Sequence, residues 1–167
     1  LASVSTADIK RDYQTALGLA DEQALIGNEA GDLEQGFADA DHIVEGEYWA
    51  PYLAHAPMEP MNAIVRIENG EADVWTGSQG VGAPQGLVAR YAGLDKENVR
   101  SHNTYLGGAF GRRGTLTHVI EATQVAVATG KPIQVLWSRE DDLQTGIYRP
   151  ASLMQVKAGV TDEGKIT

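Results

Sequence analysis

The spacing of apolar residues changes at residue 42, and the change divides the chain. Upstream, Ile9, Tyr13 and Ala16 or Leu17 recur at helical spacing. Ser5 and Thr6 are good N-caps and Asp8 falls in the first turn, so a short amphipathic helix is predicted over 5–16. Residues 18–30 have no clean period and read as a linker. Asp32 then caps a second short helix through Leu33, Phe37 and Ala40, one that packs on the surface.

From His42 the pattern alternates. Ile43, Val44, Tyr48 and Trp49 predict a strand ending near Pro51. Ala63–Glu68 and Glu71–Thr76 alternate on either side of Asn69-Gly70, a two-residue hairpin signal. Residues 82–93 read as a helix with Leu87, Val88 and Tyr91 on one side, stopped by Gly93. Asn98–Asn103 is a strand. Leu116–Ala128 is a helix that stops at Gly130-Lys131-Pro132. Ile133–Trp137 and Leu153–Val160 are the last strands. The predicted class is α+β, a mixed sheet with helices packed on one face.

Composition narrows the function classes. The 167 residues carry a formal net charge of -10, which argues against nucleic acid, a ligand that needs a basic footprint. No apolar run approaches the roughly 18 residues that span a bilayer. Cysteine is absent, which excludes disulfides, iron–sulfur ligation and thiolate catalysis within this chain. The first residue is Leu1, and the end, Asp162–Thr167, reads as a turn with a strand just beginning. The expectation is a segment of a longer protein, whose compartment, cytoplasmic or periplasmic, stays open.

The candidate chemistry lies in Leu106–Gly114, between a predicted strand and a predicted helix. Glycines at 107, 108 and 111 let backbone N–H groups approach a ligand with no Cβ in the way. Arg112 and Arg113 make a positive island in an acidic chain, which suits an anionic group such as a phosphate. The spacing matches neither the P-loop nor the dinucleotide fingerprint. From the residues alone, an ordinary glycine-rich turn and an anion site both stay open.

Five segments together resemble a known family. Leu53–Ala63 is similar to the H-x-x-M-E-P-x-x-A segment of the molybdenum hydroxylases, through His55, Met58, Glu59, Pro60 and Ala63. Trp75-Thr76-Gly77-Ser78-Gln79 is similar to their W-x-x-[ST]-Q segment, and Gly107–Gly111 to their G-G-x-F-G loop. Lys131–Val135 with Ser138–Asp142, and then Tyr148–Ala151, complete the set in the family's order. The family is the xanthine dehydrogenase/aldehyde oxidoreductase group, in its molybdopterin-binding large subunit. Gly111-Arg112-Arg113 with the later Tyr-Arg-Pro looks closest to the isoquinoline 1-oxidoreductase β-subunit type. Residues 1–41 resemble the tail of a preceding hammerhead-like domain and its linker; 42–167 resemble the N-terminal, incomplete portion of the molybdopterin-binding domain.

The resemblance implies an enzyme fragment. Its expected cofactor is molybdopterin with molybdenum, in the cytosine dinucleotide form. Its expected reaction hydroxylates an aldehyde or an N-heteroaromatic carbon with oxygen from water. Expected partners are the rest of the large subunit, a small [2Fe-2S] subunit or domain that takes the electrons, and a cytochrome c acceptor. Gln79 matches the glutamine that hydrogen-bonds an oxygen ligand of molybdenum. Gly107, Gly108, Ala109, Phe110 and Gly111 match the loop beside the metal and pterin, with the Phe110 N–H as a donor and its ring either a site wall or a core aromatic. Arg112 and Arg113 depart from the Gly-Lys-Glu ending commoner in this loop, and at least one of them is expected to bind a cofactor phosphate or the dinucleotide. Gly114 stands where xanthine-type relatives carry a substrate-binding glutamate, which disfavours purines. Tyr148 and Arg149 match the substrate pocket. No direct metal ligand is implied, and His55 and Glu59 belong to a segment that braces the site floor. The family's general-base glutamate has no match here, so it lies outside the chain and the fragment alone is inactive. The competing readings are a phosphate- or nucleotide-binding module without redox chemistry, and a structural domain with Arg112 and Arg113 solvated at its surface.

Overall fold

The computed structural model describes residues 3–19 and 25–167. The part of the expected linker at 20–24 lies outside the described residues, and 25–30 are irregular. The chain forms two compact units, one made of residues up to Leu53 together with Pro150–Thr167, the other of Ala54–Arg149.

In the first unit, α1 (Thr6–Leu17) starts at a capping box. The Ser5 hydroxyl accepts the Asp8 N–H, and the Asp8 carboxylate accepts the Ser5 N–H. α2 (Leu33–Ala38) is capped by Asp32, whose carboxylate accepts the Gln35 N–H at 3.0 Å. β1 (His42–Ala50) pairs antiparallel with the last strand, β8 (Ser152–Val160), from His42↔Val160 to Ala50↔Ser152. Tyr13 of α1 meets Trp49 of β1 edge to face at 5.8 Å. The expected turn at the end forms, with Gly164 at φ +80° and Ile166 bridging to Val160.

The second unit holds the short strand end at Ala54 (β2, Leu53–Ala54), then a hairpin of β3 (Asn62–Glu68) and β4 (Glu71–Thr76). Its turn residues Asn69 and Gly70 have φ of 52° and 80°, the double positive φ that matches strand twist. After α3 (Ala83–Ala92), β5 (Val99–Asn103) lies parallel to β4. After α4 (Thr117–Thr129), β6 (Ile133–Leu136) returns antiparallel to β3. The sheet order is β5-β4-β3-β6. Both helices cover one face. Ala63, Val65, Ala72, Val74 and Val99 from the strands pack with Val88 and Ala89 of α3 and Val119, Ala122 and Ala126 of α4. The inward side of α3 is Pro84, Val88 and Ala89, with Leu87 half-buried against the core as expected; of the expected Leu87–Val88–Tyr91 stripe only Tyr91 turns out, at 38% exposed.

The opposite face holds a polar cluster on a strand position that alternation turns away from the helices. Asp73 is 4% exposed and accepts from Arg66, Arg100 and His102. These contacts hold its carboxyl well below the usual range, the Arg100 bond most, then His102 and Arg66.

One helix was absent from the expected order. Arg139–Thr145 (α5) follows β6, and the two-residue strand Tyr148–Arg149 (β7) follows it. Arg139, Glu140 and Asp141 read as an ion-pair and turn cluster. Instead Asp141 closes a capping box with Ser138, and Arg139 pairs with Asp142 at 2.8 Å. The cap consumes the Asp141 carboxylate, so the arginine takes the next acid on its own helix face.

Two glycines separate strain from entropy. Gly130, in the left-handed region at φ 62°, ends α4 with open space where a Cβ would go. Gly130→Ala is expected to cost about 1–2 kcal/mol in urea unfolding followed by circular dichroism. Gly86, inside α3 and equally open, is expected to gain about 0.5–1 kcal/mol on replacement by alanine.

Candidate functional site

β4 and β5 run parallel, with Thr76 opposite Asn103, so the loops that leave their C-terminal ends emerge side by side. The Thr104 N–H donates to the Thr76 carbonyl at 3.2 Å and continues the pairing one step beyond the strands. The first loop carries Gly77, Ser78 and Gln79. The second is Leu106–Gly114, which closes in a 3-10 turn at Arg112–Gly114 before α4.

The two loops bond to each other at Gln79. Its backbone N–H donates to the Arg113 carbonyl at 3.3 Å, and its side-chain Oε1 accepts the Gly111 N–H at 3.1 Å. The Gly111 N–H can only donate, which fixes which end of the amide faces it. Both Nε2 hydrogens are left unspent among the described residues, on an exposed side chain. Ser78 anchors the first loop, its N–H donating to the Asn103 side chain at 3.0 Å.

The glycines are required by packing as well as by backbone angle. A Cβ on Gly107 would stand 2.6 Å from the Glu59 Cβ, and one on Gly77 would stand 2.7 Å from the Leu106 Cβ. Gly108 and Gly111 have φ of 95° and 100°. Phe110 shares the left-handed region at φ 55°, a strained position for an aromatic residue, and it is 61% exposed. Among the described residues Phe110 is therefore no part of the core. Among the described residues the N–H groups of Gly108, Ala109 and Phe110 have no acceptor. Three successive unpaired donors around positive-φ residues are the kind of backbone from which anion- or oxygen-binding nests are built.

Arg112 and Arg113 do not form the exposed positive island that the sequence suggests. They are 2% and 0% exposed. Arg113 donates to the carbonyls of Gly108 (3.1 Å), Gly77 (3.4 Å), Glu59 (3.1 Å) and Pro60 (3.3 Å), and pairs with the Glu59 carboxylate at 2.7 Å. Arg112 lies 5.1 Å over the Trp137 ring, donates to the Thr115 carbonyl at 3.0 Å and faces Asp142 at 3.7 Å. Both side chains point inward; backbone carbonyls surround Arg113, whereas Arg112 reaches one carbonyl and its Nε and Nη2 have no hydrogen-bond partner among the described residues. The reading of these arginines as solvated surface charges is therefore excluded.

Glu59 completes the floor. Its carboxylate also accepts the Gly107 N–H at 2.8 Å and the Asn62 amide at 3.1 Å. Burial pushes its carboxyl up, but the Gly107 N–H, Asn62 and Arg113 outweigh that and hold it below the ordinary value. His55 sits beside the same loop. Its Nδ1 donates to the Ile147 carbonyl at 3.0 Å, and its Nε2 lies 3.5 Å from where a Gly111 Cβ would be. That contact brings the segment before Tyr148 and Arg149 toward the loop. Both residues are exposed, and the Tyr148 hydroxyl donates to the Leu143 carbonyl.

A family profile described as molybdopterin cofactor-binding domain matches residues 19–167. The chain belongs to this family. It is similar to isoquinoline 1-oxidoreductase subunit beta of Brevundimonas diminuta, 33% identical over 143 residues, which cover 84% of this chain and 18% of that protein. It is similar to xanthine dehydrogenase of Emericella nidulans, 31% identical over 140 residues, covering 81% of this chain and 10% of that protein. Its fold is similar to aldehyde oxidoreductase from Desulfovibrio gigas, with TM-score 0.70, 26% identity, and coverage of 81% of this chain and 15% of that one. The chain spans less than a fifth of the length of each. The resemblance drawn from the five motifs therefore holds at the level of the molybdopterin cofactor-binding family.

One buried group of this family member carries no motif signal. His118 of α4 is fully buried, with Nε2 3.3 Å from the Thr76 hydroxyl, and Thr76 in turn donates to the Asn62 carbonyl at 2.9 Å. Burial first, then Arg113 and Arg112, lowers its pKa from 6.5 to about 4. The folded chain keeps His118 neutral while the unfolded chain protonates below 6.5. Stability is full above pH 6.5 and is lost progressively as the pH falls to about 4, by roughly 3 kcal/mol in all. Glu59, held low, releases its share only below its ordinary 4.5. Urea unfolding between pH 7 and 5 is expected to show this slope, and His118→Gln to flatten it.

Proposed function

We propose that this chain is part of a molybdopterin-dependent oxidoreductase of bacterial type, one that hydroxylates an aldehyde or an N-heteroaromatic carbon. When bound, the molybdenum cofactor supplies hydroxylation with water as oxygen source and passes electrons to [2Fe-2S] centres on a partner subunit or domain. The observation that carries the reading is the pair of unspent donor sets at one place: the Gln79 amide and the N–H row of Gly108, Ala109 and Phe110. Neutral donors suit the oxygen ligands of such a group because they orient it without adding charge.

In this reading Gln79 and the Phe110 N–H donate to ligand oxygens, and the Phe110 ring walls the site. Gly107, Gly108, Ala109 and Gly111 let the cofactor approach the backbone. Arg112 and Arg113 serve the cofactor from beneath, by holding that backbone. Arg149, with Tyr148, faces the substrate, and the general-base glutamate belongs to another part of the polypeptide. Gly114 supplies no carboxylate for a purine. The cofactor-domain match begins at residue 19, so only the residues before it are left for the tail of a preceding hammerhead-like domain. The cofactor is the cytosine dinucleotide form, and a cytochrome c accepts the electrons. The burial of Arg112 and Arg113 removes the exposed positive island on which the redox-free nucleotide-binding alternative rested.

The test is elemental mass spectrometry of the full-length parent purified with its small subunit. About one molybdenum per protein is expected. None, in a host that loads a control molybdoenzyme, overturns the reading. Gln79→Ala in that parent is expected to lower turnover by about 100- to 1000-fold while molybdenum content stays within about twofold. Equal losses of both would remove Gln79 from its assigned role.

A further inference from the structure

We infer that Arg113 is a positioning residue, with Glu59 as its counter-charge, and that its task is to hold Gln79 in register with the glycine-rich loop. The inference rests on the function proposed for Gln79 above.

The two atoms that hold Gln79 are the Gly111 N–H and the Arg113 carbonyl. Both lie on the 3-10 turn, which is closed by the Arg112 N–H on the Ala109 carbonyl at 2.9 Å and the Gly114 N–H on the Gly111 carbonyl at 3.1 Å. Arg112 ties the turn to Thr115, Trp137 and Asp142 on its C-terminal side, but nothing in those contacts reaches the Gly77–Gln79 loop, and the glycines add backbone freedom around the exposed, strained Phe110. The Arg113 guanidinium supplies what is missing. It reaches Gly108 ahead of the turn, Gly77 two residues before Gln79, and Glu59 with Pro60 on a third segment. Glu59 then grips Gly107 twice, its carboxylate accepting the Gly107 N–H at 2.8 Å and its own N–H donating to the Gly107 carbonyl at 3.1 Å. Asn62 holds the other carboxylate oxygen at 3.1 Å.

A planar fork is needed for this. A guanidinium can donate in several in-plane directions at once, whereas an ammonium on a flexible stem acts as a point charge. Burying a charge fully is also a poor way to gain stability alone, since a hydrophobic residue of similar volume does at least as well. Its fit here is to placement. A shift near 1 Å in a positioning group can cost about 100-fold in rate.

The experiment uses the full-length parent with its small subunit and has two arms. In the first, hydrogen–deuterium exchange is followed on cofactor-free protein. Arg113→Lys is expected to speed exchange at least tenfold in peptides covering 77–79 and 107–114, and to leave the β3–β4 hairpin and α4 unchanged. Unchanged loops, or acceleration everywhere, overturn the inference. The second arm is a double-mutant cycle on loaded enzyme. Arg113→Lys is expected to lower kcat about 10- to 100-fold with KM within threefold and molybdenum content near wild type. In the Gln79→Ala background the same change is expected to cost less than about threefold, because the residue it positions is gone. Losses that multiply overturn the inference. Should Arg113→Lys fail to fold, Glu59→Gln runs both arms with the same expected outcomes. Wild-type protein without molybdenum is instead the failure of the family-derived function, and is recognised before either variant is compared.

Discussion

A fully buried guanidinium that meets one carboxylate and four backbone carbonyls is the constraint on which the loop cluster depends. Burial pushes Arg113 below its ordinary pKa, and the nearby Glu59 charge offsets that. The same Glu59 oxygen accepts a backbone N–H of the glycine-rich loop. Charge pairing and loop shape are therefore one interaction, and neither the loop nor the pair has its observed form without the other.

The sheet makes this arrangement possible. Parallel pairing of β4 with β5 sends two chain segments out of the same edge, and the antiparallel neighbours β3 and β6 bring the 59–62 and 137–142 segments to that edge as well. The Trp137 N–H donates to the Met61 carbonyl at 2.9 Å, and Arg139 donates to the Pro57 and Met58 carbonyls. Four segments far apart in sequence meet where strand ends leave backbone groups to be satisfied. The donors left without an acceptor among the described residues, at Gly108, Ala109, Phe110 and Gln79, are the ones the proposed function gives to the cofactor.

The charge balance of the chain was a poor guide to this region. An excess of ten negative charges made two adjacent arginines look like a surface site. Both point inward instead: Arg113 meets carbonyls of three segments and the Glu59 carboxylate, and Arg112 lies over the Trp137 ring beside Asp142. A similar choice operates on the helix-free face, where Arg66, Arg100 and His102 converge on Asp73. There Arg66 and Arg100, like Arg113 in the loop cluster, serve acceptors of this chain.

Local signals decided the elements. Ser5 with Asp8, Asp32, Asn69-Gly70, Gly93 and Gly130 acted through caps and turns that need only neighbouring residues, so those boundaries were legible. The family was legible too, because its motifs lie in continuous runs. The helix at Arg139–Thr145 was not, since its seven residues carry almost no apolar period and only the Ser138–Asp141 cap announces it. Tertiary structure alone decided which way Arg112 and Arg113 point, that Glu59 and Gly107 touch, that Gln79 spends its oxygen and keeps its nitrogen, and that His118 is buried neutral. Each of these depends on a partner 25 to 54 residues away or on burial by a layer of helix, and hydrogen-bond direction and desolvation are properties of the assembled neighbours rather than of the residue itself.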